Sequence, residues 1–259
     1  MRLSISKIKC FKACRRLYEL KYVEGLETVK KPEALESGSS YHKLLEELNT
    51  TGQLPECDFS KEYAMAKAYE KYIYPHFKVV EAEKYLEFPM TCIDGDEKMI
   101  GFADGISDDG HIVEHKTVGS EITEQYEYNL LWDEQILAYM LMTGLRKVWY
   151  TVCRKPTIRQ KQSETESQFY QRMLEWYDED TDSKIRLLEI ERTDEEVLAF
   201  KKDLYIMHGI MQEAENEKNF YKNTCHCNMW GKRCEYSSIC LNYDPNQTYI
   251  EFVKGEITR

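Results

Sequence analysis

The stretch GFADGISDDGHIVEHKT, residues 101–117, is typical of two β-strands joined by a tight turn. The central DDG suits a three-residue hairpin loop in which Gly110 adopts the left-handed conformation. This pairing places Asp104 directly opposite Glu114, and directly opposed residues have Cβ atoms about 5 Å apart on one face of a sheet. The apolar residues around them predict a hairpin in the core. The sequence therefore predicts two carboxylates held close together at a partly buried position.

A lysine joins this pair. Side chains alternate along a strand, so Lys116 lies on the same face as Glu114. Burying two carboxylates together is costly unless a cation neutralises them, and carboxylate oxygens with water suit Mg²⁺ or Mn²⁺. The ammonium group can then orient a metal-bound water or stabilise charge that develops on a phosphate. An isolated Glu-x-Lys is usually a solvated strand face, but in a core hairpin it indicates metal-assisted phosphodiester hydrolysis.

Composition is consistent with a folded protein inside the cell. The chain has 259 residues with 42% hydrophobic content, which is enough for a real core. It contains no run of eighteen apolar residues, and its charged first residues do not resemble a signal peptide. Nine cysteines, an odd number, argue against a secreted disulfide framework and favour metal ligation or plain burial. We therefore expect a cytoplasmic protein without a membrane span.

The net charge of −11 argues mildly against a protein that coats nucleic acid. It does not exclude a nuclease, because a metal site needs carboxylates and a local groove can be basic on an acidic molecule. Lysine and arginine concentrate at 7–31 and 146–161. These segments are candidate DNA-binding patches, with ordinary solvated faces as the alternative.

Hydrophobic periodicity predicts a single α/β domain without repeats or low-complexity linkers. A first helix is expected over 4–24, capped by Ser4 or Ser6 and ended by Gly25. The other predicted helices are 35–52, 59–78, 121–144, 163–178 and 194–218. The predicted strands outside the hairpin are 83–93, 145–156 and 183–192.

The paired segments GFADGI and IVEHKT resemble the acidic motifs of the PD-(D/E)XK nuclease superfamily, in particular its RecB-like exonuclease branch. That branch includes CRISPR-associated RecB-like exonucleases and many phage exonucleases. The resemblance implies a restriction-endonuclease-like core over about 33–192, with a central mixed sheet flanked by helices. It also implies that Asp104, Glu114 and Lys116 are catalytic. A glutamate replaces the aspartate of the D-x-K version, which the superfamily accepts.

Two further motifs match this branch. GSSYH resembles its G-x-x-x-H motif and implies that His42 binds the metal with Asp104 and Glu114. QILAY is similar to its Q-x-x-x-Y motif and implies that Gln135 and Tyr139 support the metal site and the DNA. An imidazole beside two carboxylates suits Mn²⁺ somewhat better than Mg²⁺, and positions i and i+4 share one helix face. Each motif alone is weak, but their order and spacing together are specific.

Basic residues follow the last core strand of phage members of the branch. By resemblance, Arg154, Lys155 and Arg159 are candidates for contacts with DNA phosphates, with plain surface charge as the alternative.

The cysteines resemble the iron–sulfur members of the branch, in which one cysteine before the core and three after it bind a 4Fe-4S cluster. The resemblance implies that such a site joins segments 1–30 and 193–259. The implied ligands are Cys14, Cys227, Cys234 and Cys240, with Cys225 as the alternative to Cys227. Four thiolates also suit Zn²⁺, and unligated cysteines are the third alternative. Cys57, Cys92 and Cys153 are predicted to be core residues.

Taken together, these features predict a metal-dependent DNA exonuclease that acts on single strands or DNA ends. The expected setting is recombination or repair, phage DNA metabolism or CRISPR adaptation. No G-x-x-x-x-G-K-[ST] motif occurs, so unwinding needs a partner such as a helicase. A recombinase or a CRISPR adaptation protein is another candidate partner. The alternatives are a non-catalytic DNA- or protein-binding module of the same fold and a structure-specific endonuclease.

Overall fold

The computed structural model describes residues 2–29, 33–90, 97–229, 232–241 and 252–255. The α-helices in these ranges are α1 Ile5–Ala13, α2 Arg15–Tyr18, α3 Glu33–Thr51, α4 Lys61–Tyr72, α5 Glu124–Leu130, α6 Glu134–Thr143, α7 Glu166–Glu179, α8 Asp194–Glu217 and α9 Ser237–Cys240. The strands are β1 Arg2–Leu3, β2 Leu26–Thr28, β3 Val79–Pro89, β4 Lys98–Ser107, β5 Ile112–Val118, β6 Lys147–Arg154, β7 Ile185–Glu191, β8 Asn228–Met229, β9 Lys232–Arg233 and β10 Phe252–Lys254. A π-helical turn spans Glu19–Val23, and short 3₁₀ helices span Tyr74–His76, Thr181–Ser183 and Thr224–His226.

Six of these strands form one mixed sheet. Its order is β1-β4-β5-β6-β7, and β3 also pairs with β4. β5 and β6 run parallel with Glu114 opposite Tyr150, whereas β4 with β5 and β6 with β7 are antiparallel. The predicted α/β architecture with a central mixed sheet and flanking helices is therefore confirmed.

The β4–β5 hairpin has the predicted turn. Gly110 has φ +81°, and the Ser107 N–H donates to the carbonyl of His111 at 2.9 Å. Ile106 then pairs with Ile112, and Gly105 pairs with Val113. A glycine tolerates this left-handed backbone because it has no Cβ. The turn therefore sets the register on which the acidic residues depend.

The chain divides into two compact units. The unit formed by 33–86 and 102–198 contains β5, β6 and β7 and, among its described residues, three hydrophobic clusters, of which two include residues of the sheet. One cluster includes fully buried side chains of α3 and α4: Tyr41, Leu45, Leu48, Met65 and Tyr69. The other combines α6 with the middle of the sheet: Ile112, Ile136, Met140, Val148 and Val152. The spacing Tyr41, Leu45, Leu48 follows the helical period, which is why α3 packs along one apolar side.

The other unit consists of 1–32, 87–101 and 199–259. Its first helix differs from the prediction. Ser4 caps α1 as expected, but the backbone is extended at Cys14 with φ −164°, which separates α1 from α2. The Asn223 side chain donates to the carbonyl of Ala13 at 2.8 Å, so a residue distant in sequence replaces a helical hydrogen bond. The prediction of one helix over 4–24 is therefore wrong.

The predicted helix 121–144 is likewise two helices. The break lies at Asp133, the N-cap residue of α6. Its Oδ1 accepts a hydrogen bond from the N–H of Gln135 at 3.1 Å. An N-cap residue has extended rather than helical backbone, so the cap interrupts the helix at this point. The break positions Gln135 in the first turn of α6.

Candidate active site

Asp104 lies on β4 and is held by two histidines. Its Oδ1 is 2.9 Å from Nδ1 of His42 on α3, and its Oδ2 accepts the backbone N–H of His115 at 2.6 Å. The backbone pairing of β4 with β5 joins Ile106 to Ile112 and Gly105 to Val113. Beyond these paired residues, the side chain of Asp104 accepts a hydrogen bond from the β5 backbone.

Glu114, Lys116 and Gln135 form a closed hydrogen-bond network. The ammonium of Lys116 bonds to Glu114 Oε1 and donates to Gln135 Oε1 at 3.1 Å. The Gln135 amide donates to Glu114 Oε1 at 3.0 Å and to the hydroxyl of Tyr139 at 2.8 Å. That hydroxyl donates to the carbonyl of Phe102 on β4. The structure thus joins the four predicted residues from β5 and α6 in one network.

The two carboxylates are coupled electrostatically. Burial raises the pKa of Glu114 to about 7, the charge of Lys116 opposes the shift, and the charge of Asp104 adds to it. Burial also disfavours ionisation of Asp104, but the hydrogen bond from His42 and the nearby ring of His115 lower its pKa. Asp104 and Glu114 therefore differ in protonation behaviour although both are carboxylates in one site.

The neighbouring basic groups respond to these carboxylates. Burial disfavours protonation of His42, yet its hydrogen bond to Asp104 and the charge of that carboxylate raise the pKa of His42. Burial likewise opposes the charge of Lys116, and the charge of Glu114 outweighs it and raises the pKa of Lys116. His115 lies in the core, where burial lowers its pKa to about 4.

Within the described ranges, no group of three or more His, Cys, Asp or Glu is arranged so that it could hold a metal ion. The donor types around Asp104 nonetheless suit a divalent cation, because two carboxylates and one imidazole are the ligands that Mg²⁺ and Mn²⁺ accept. The charge of Asp104 raises the pKa of Glu114, and a cation would remove this repulsion. The residues His42, Asp104 and Glu114 therefore fit such an ion by chemistry.

The predicted DNA-binding residues have different surroundings. Arg154 is largely buried; its guanidinium lies over the ring of Trp176 and 3.3 Å from a carboxylate oxygen of Glu121. Lys155 lines a cavity of about 450 Å³ together with Lys61, Ser37 and Ser40. Arg159 is exposed. Lys155 and Arg159 are thus better placed than Arg154 to contact a phosphate.

The cysteine metal site implied by the resemblance is not found among the described residues, and the described cysteines are free thiols. Two of the implied ligands do lie near one residue: the Asn223 N–H donates to Cys14 Sγ at 3.3 Å, and Cys227 Sγ is 3.8 Å from the Asn223 carbonyl oxygen. Burial raises the pKa of Cys240, and the charges of Cys14 and Cys227 add to this shift. Cys225 is exposed.

The remaining cysteines were expected in the core. Cys153 is 1% exposed and packs in the α3–α4 cluster, so this prediction is confirmed. Cys57 is only half-buried. Cys92 lies outside the described residues.

Two residues near the site were missed by the sequence analysis. Glu83 on β3 has φ +47°; burial raises its pKa, and the charges of Asp104 and Glu46 add to this shift. His115 anchors Asp104 through its backbone N–H and bonds Thr151 Oγ1 through Nδ1 at 2.7 Å. His115 lies between Glu114 and Lys116 in sequence, which could have signalled its role. Nothing in the pattern around Glu83 sets it apart from an ordinary strand residue.

Comparison with known protein families gives one partial match. The model of the PD-(D/E)XK nuclease superfamily matches residues 2–77. This range contains His42 and ends before the strands that carry Asp104, Glu114 and Lys116. No curated protein matches the chain at a significant level.

Three solved structures resemble the chain. A "Putative exonuclease" from Eubacterium rectale has 13% sequence identity and a TM-score of 0.56, over 94% of this chain and 88% of that one. A phage-related exonuclease from Haemophilus somnus 129PT has 9% identity and a TM-score of 0.41, over 84% and 96% of the two chains. An alkaline exonuclease from Laribacter hongkongensis has 12% identity and a TM-score of 0.35, over 84% and 93%.

The first of these similarities shows a shared fold. None of the comparisons supports the predicted link to CRISPR adaptation or an iron–sulfur cluster. In the part of the chain that the structure describes, no helix is long and apolar enough to cross a membrane.

Proposed function

We propose that this chain is a metal-dependent deoxyribonuclease of the PD-(D/E)XK superfamily, and that it is an exonuclease acting on single-stranded DNA or DNA ends. The observation that carries the proposal is the network of Glu114, Lys116 and Gln135, with Asp104 close enough to raise the pKa of Glu114. A partly buried lysine bonded to a carboxylate beside a second carboxylate suits phosphodiester hydrolysis. The partial family match and the fold shared with the Eubacterium rectale protein support this assignment.

In this proposal His42, Asp104 and Glu114 hold Mg²⁺ or Mn²⁺, which when bound supplies Lewis acidity and a more acidic water. Lys116 keeps its positive charge because Glu114 raises its pKa, and this charge stabilises negative charge on the phosphate. Gln135 fixes the direction of the Lys116 ammonium by accepting a hydrogen bond from it through Oε1. Tyr139 ties Gln135 to the β4 backbone.

The direct test is degradation of end-labelled linear single-stranded DNA in Mn²⁺ or Mg²⁺. The wild-type protein should release nucleotides, chelation with EDTA should stop the release, and Lys116→Ala should bind DNA without cleaving it. Lys147→Ala is the matched control, because Lys147 lies on the same sheet and pairs with Glu189 at the surface. Equal cleavage by wild type and Lys116→Ala would contradict the assigned role of Lys116.

The alternatives are separated by the form of the substrate. An exonuclease needs a free end, so closed circular single-stranded DNA should resist degradation. Cleavage of the circle would favour a structure-specific endonuclease, and absence of cleavage on every DNA with retained binding would favour a binding module. Because no nucleotide-driven motor motif occurs in the sequence, we expect a helicase or recombinase partner wherever duplex DNA must be opened.

The iron–sulfur cluster remains a proposal carried by the resemblance. The contacts of both Cys14 and Cys227 with the Asn223 backbone support Cys227 over the exposed Cys225 as a ligand. Anaerobically purified protein should absorb at about 400 nm and contain iron. Zinc in place of iron would identify a structural zinc site, and protein free of both metals would remove this part of the proposal.

A further inference from the structure

Two large aromatic side chains are exposed next to each other on β3 and β4. Tyr85 is 47% exposed and Phe102 is 57% exposed. Their ring centroids are 5.3 Å apart with an interplanar angle of 59°. Single exposed aromatic residues are common, but a contiguous pair is a feature of binding surfaces.

This aromatic pair lies beside the acidic centre. Phe102 precedes Asp104 by two residues on β4, so the two side chains project from the same face of the strand with Cα atoms about 7 Å apart. The carbonyl of Phe102 accepts the hydroxyl of Tyr139, which is bonded to Gln135. The backbone that presents the aromatic ring is thus fixed by the same network that holds Lys116.

The neighbouring strand repeats this arrangement. Glu83 and Tyr85 are two residues apart on β3, and the charge of Asp104 raises the pKa of Glu83. Tyr85 contacts Phe102, so an acidic pair and an aromatic pair follow one another along the two strands. The aromatic surface is therefore continuous with the site that would hold the scissile phosphate.

The charges in this part of the molecule limit what phosphate contacts can contribute to binding. The chain carries a net charge of −11. The nearby Lys84 pairs with Glu81, and Arg154 pairs with Glu121. Lys155 and Arg159 are the candidates for phosphate contacts, and a DNA strand that enters the acidic centre gains further affinity from another source. Stacking of bases on aromatic rings supplies it and tolerates any sequence, because every base has a π-face.

We propose that the Tyr85–Phe102 pair is the stacking surface for an unpaired nucleobase of the DNA strand whose phosphate lies at Asp104 and Glu114. The inference rests on the proposed nuclease function and adds the form of DNA that the site accepts. A base within a duplex is already stacked and paired, so the pair favours a single strand or a frayed end. Because stacking reads no base edge, the surface is indifferent to sequence.

The test is a binding cycle that combines a protein variant with an altered DNA. The probes are a short fluorescein-labelled thymidine oligonucleotide and its counterpart of equal length without bases, measured by anisotropy in Ca²⁺. Phe102→Ala should weaken binding of the thymidine strand by about tenfold, and removal of the bases should weaken binding to the wild type by a similar factor or more. Phe102→Ala should then have no further effect on the baseless strand. Phe102→Trp should restore binding.

Tyr128→Ala is the matched control, because Tyr128 is 55% exposed and contacts the exposed ring of Trp132, but lies on α5 and lines a separate cavity with residues 188–191 of β7 and Arg192. It should leave both affinities unchanged. Thermal melting should show that Phe102→Ala remains folded, as expected for an exposed ring. Equal loss of affinity for both strands in Phe102→Ala, or the same loss in Tyr128→Ala, would overturn the inference.

The two proposals fail in different ways. If the wild type binds thymidine strands through Phe102 but degrades no DNA in Mg²⁺ or Mn²⁺, the nuclease function fails and the stacking surface stands as a binding site. If the wild type degrades DNA and Phe102→Ala binds thymidine strands as tightly as the wild type, the stacking surface fails alone.

Discussion

The acidic centre and the cysteine region were both inferred from motifs, and they differ in how far the structure assembles them. At the centre, each motif residue bonds another motif residue: His42 bonds Asp104, and Lys116 bonds Glu114 and Gln135. Around the cysteines, the Cys14 and Cys227 side chains instead contact Asn223, and in neither region do the described residues arrange three or more ligands around a metal position.

The difference follows from how each set of residues is positioned. Glu114 and Lys116 are two residues apart on one strand, and a single turn aligns that strand with Asp104. Local geometry therefore brings the side chains together. Cys14 and Cys227 are separated by most of the chain, and both depend on contacts with Asn223. A motif within one hairpin is thus a stronger guide to a site than a motif spread over both ends of a chain.

The largest expected effect tests the acidic centre. Asp104→Asn should lower the rate of nucleotide release by about 10³-fold, because several kcal/mol of charge stabilisation by the metal are lost. Single-turnover degradation of linear single-stranded DNA measures this rate. Asp108→Asn in the same hairpin is the control, since an amide oxygen can still accept the N–H of Lys78. Similar rates for Asp104→Asn and the wild type would remove Asp104 from the active site.

A second variant tests whether the two regions are independent. If the cysteines hold a 4Fe-4S cluster, Cys14→Ser should lose most of the about four iron atoms per chain, whereas Asp104→Asn should keep them. Iron analysis of anaerobically purified protein gives the answer. Cys57→Ser is the control, because Cys57 belongs to no motif. Iron retained in Cys14→Ser would exclude Cys14 as an essential ligand.

Gln135 should show an intermediate effect. Gln135→Ala removes the group that bonds both Glu114 and Lys116, and loss of such an orienting residue costs about 10- to 100-fold in activity or metal affinity. Titration of the degradation rate with Mn²⁺ separates these two contributions. Gln125→Ala on α5 is the control, since Gln125 bonds Asn129 at the surface. Full activity of Gln135→Ala would contradict a positioning role for Gln135, since the bond to Glu114 would then suffice to position Lys116.

The smallest expected effect is on stability and concerns the packing of β3 against β4. A Cβ added at Gly105 would lie 2.6 Å from Val79 Cγ1 and 2.9 Å from the Glu81 carbonyl oxygen. Gly105→Ala should therefore lower the free energy of unfolding by about 1 to 3 kcal/mol. Gly209→Ala is the counterpart: nothing lies within 4 Å, and alanine in a helix should raise stability by about 0.5 to 1 kcal/mol. Urea unfolding measures both changes, and a stabilising Gly105→Ala would show that β3 can move away from β4.

Most of the predicted elements occur, and each of the two errors has an identifiable physical cause. The turn at Gly110 followed from turn chemistry and the α/β class from hydrophobic periodicity, whereas the mixed sheet was implied by the family resemblance. The helix predicted over 4–24 is interrupted because Asn223, far along the chain, bonds the carbonyl of Ala13. The helix predicted over 121–144 is interrupted because Asp133 acts as a cap. No local sequence pattern predicts the contact with Asn223. The cap at Asp133 was predictable, because an aspartate before an apolar run is a typical helix start.

By itself, the sequence determined the hairpin, its register and the identity of the charged groups that it carries, because turn geometry and side-chain alternation act over a few residues. Tertiary structure decided the surroundings of those groups: which histidine bonds Asp104, how deeply Glu114 is buried, and that Phe102 and Tyr85 meet at the surface. The reason is physical. Burial and contacts between distant strands and helices depend on how the whole sheet packs, and they shift pKa values and expose aromatic rings in ways that no local spacing encodes.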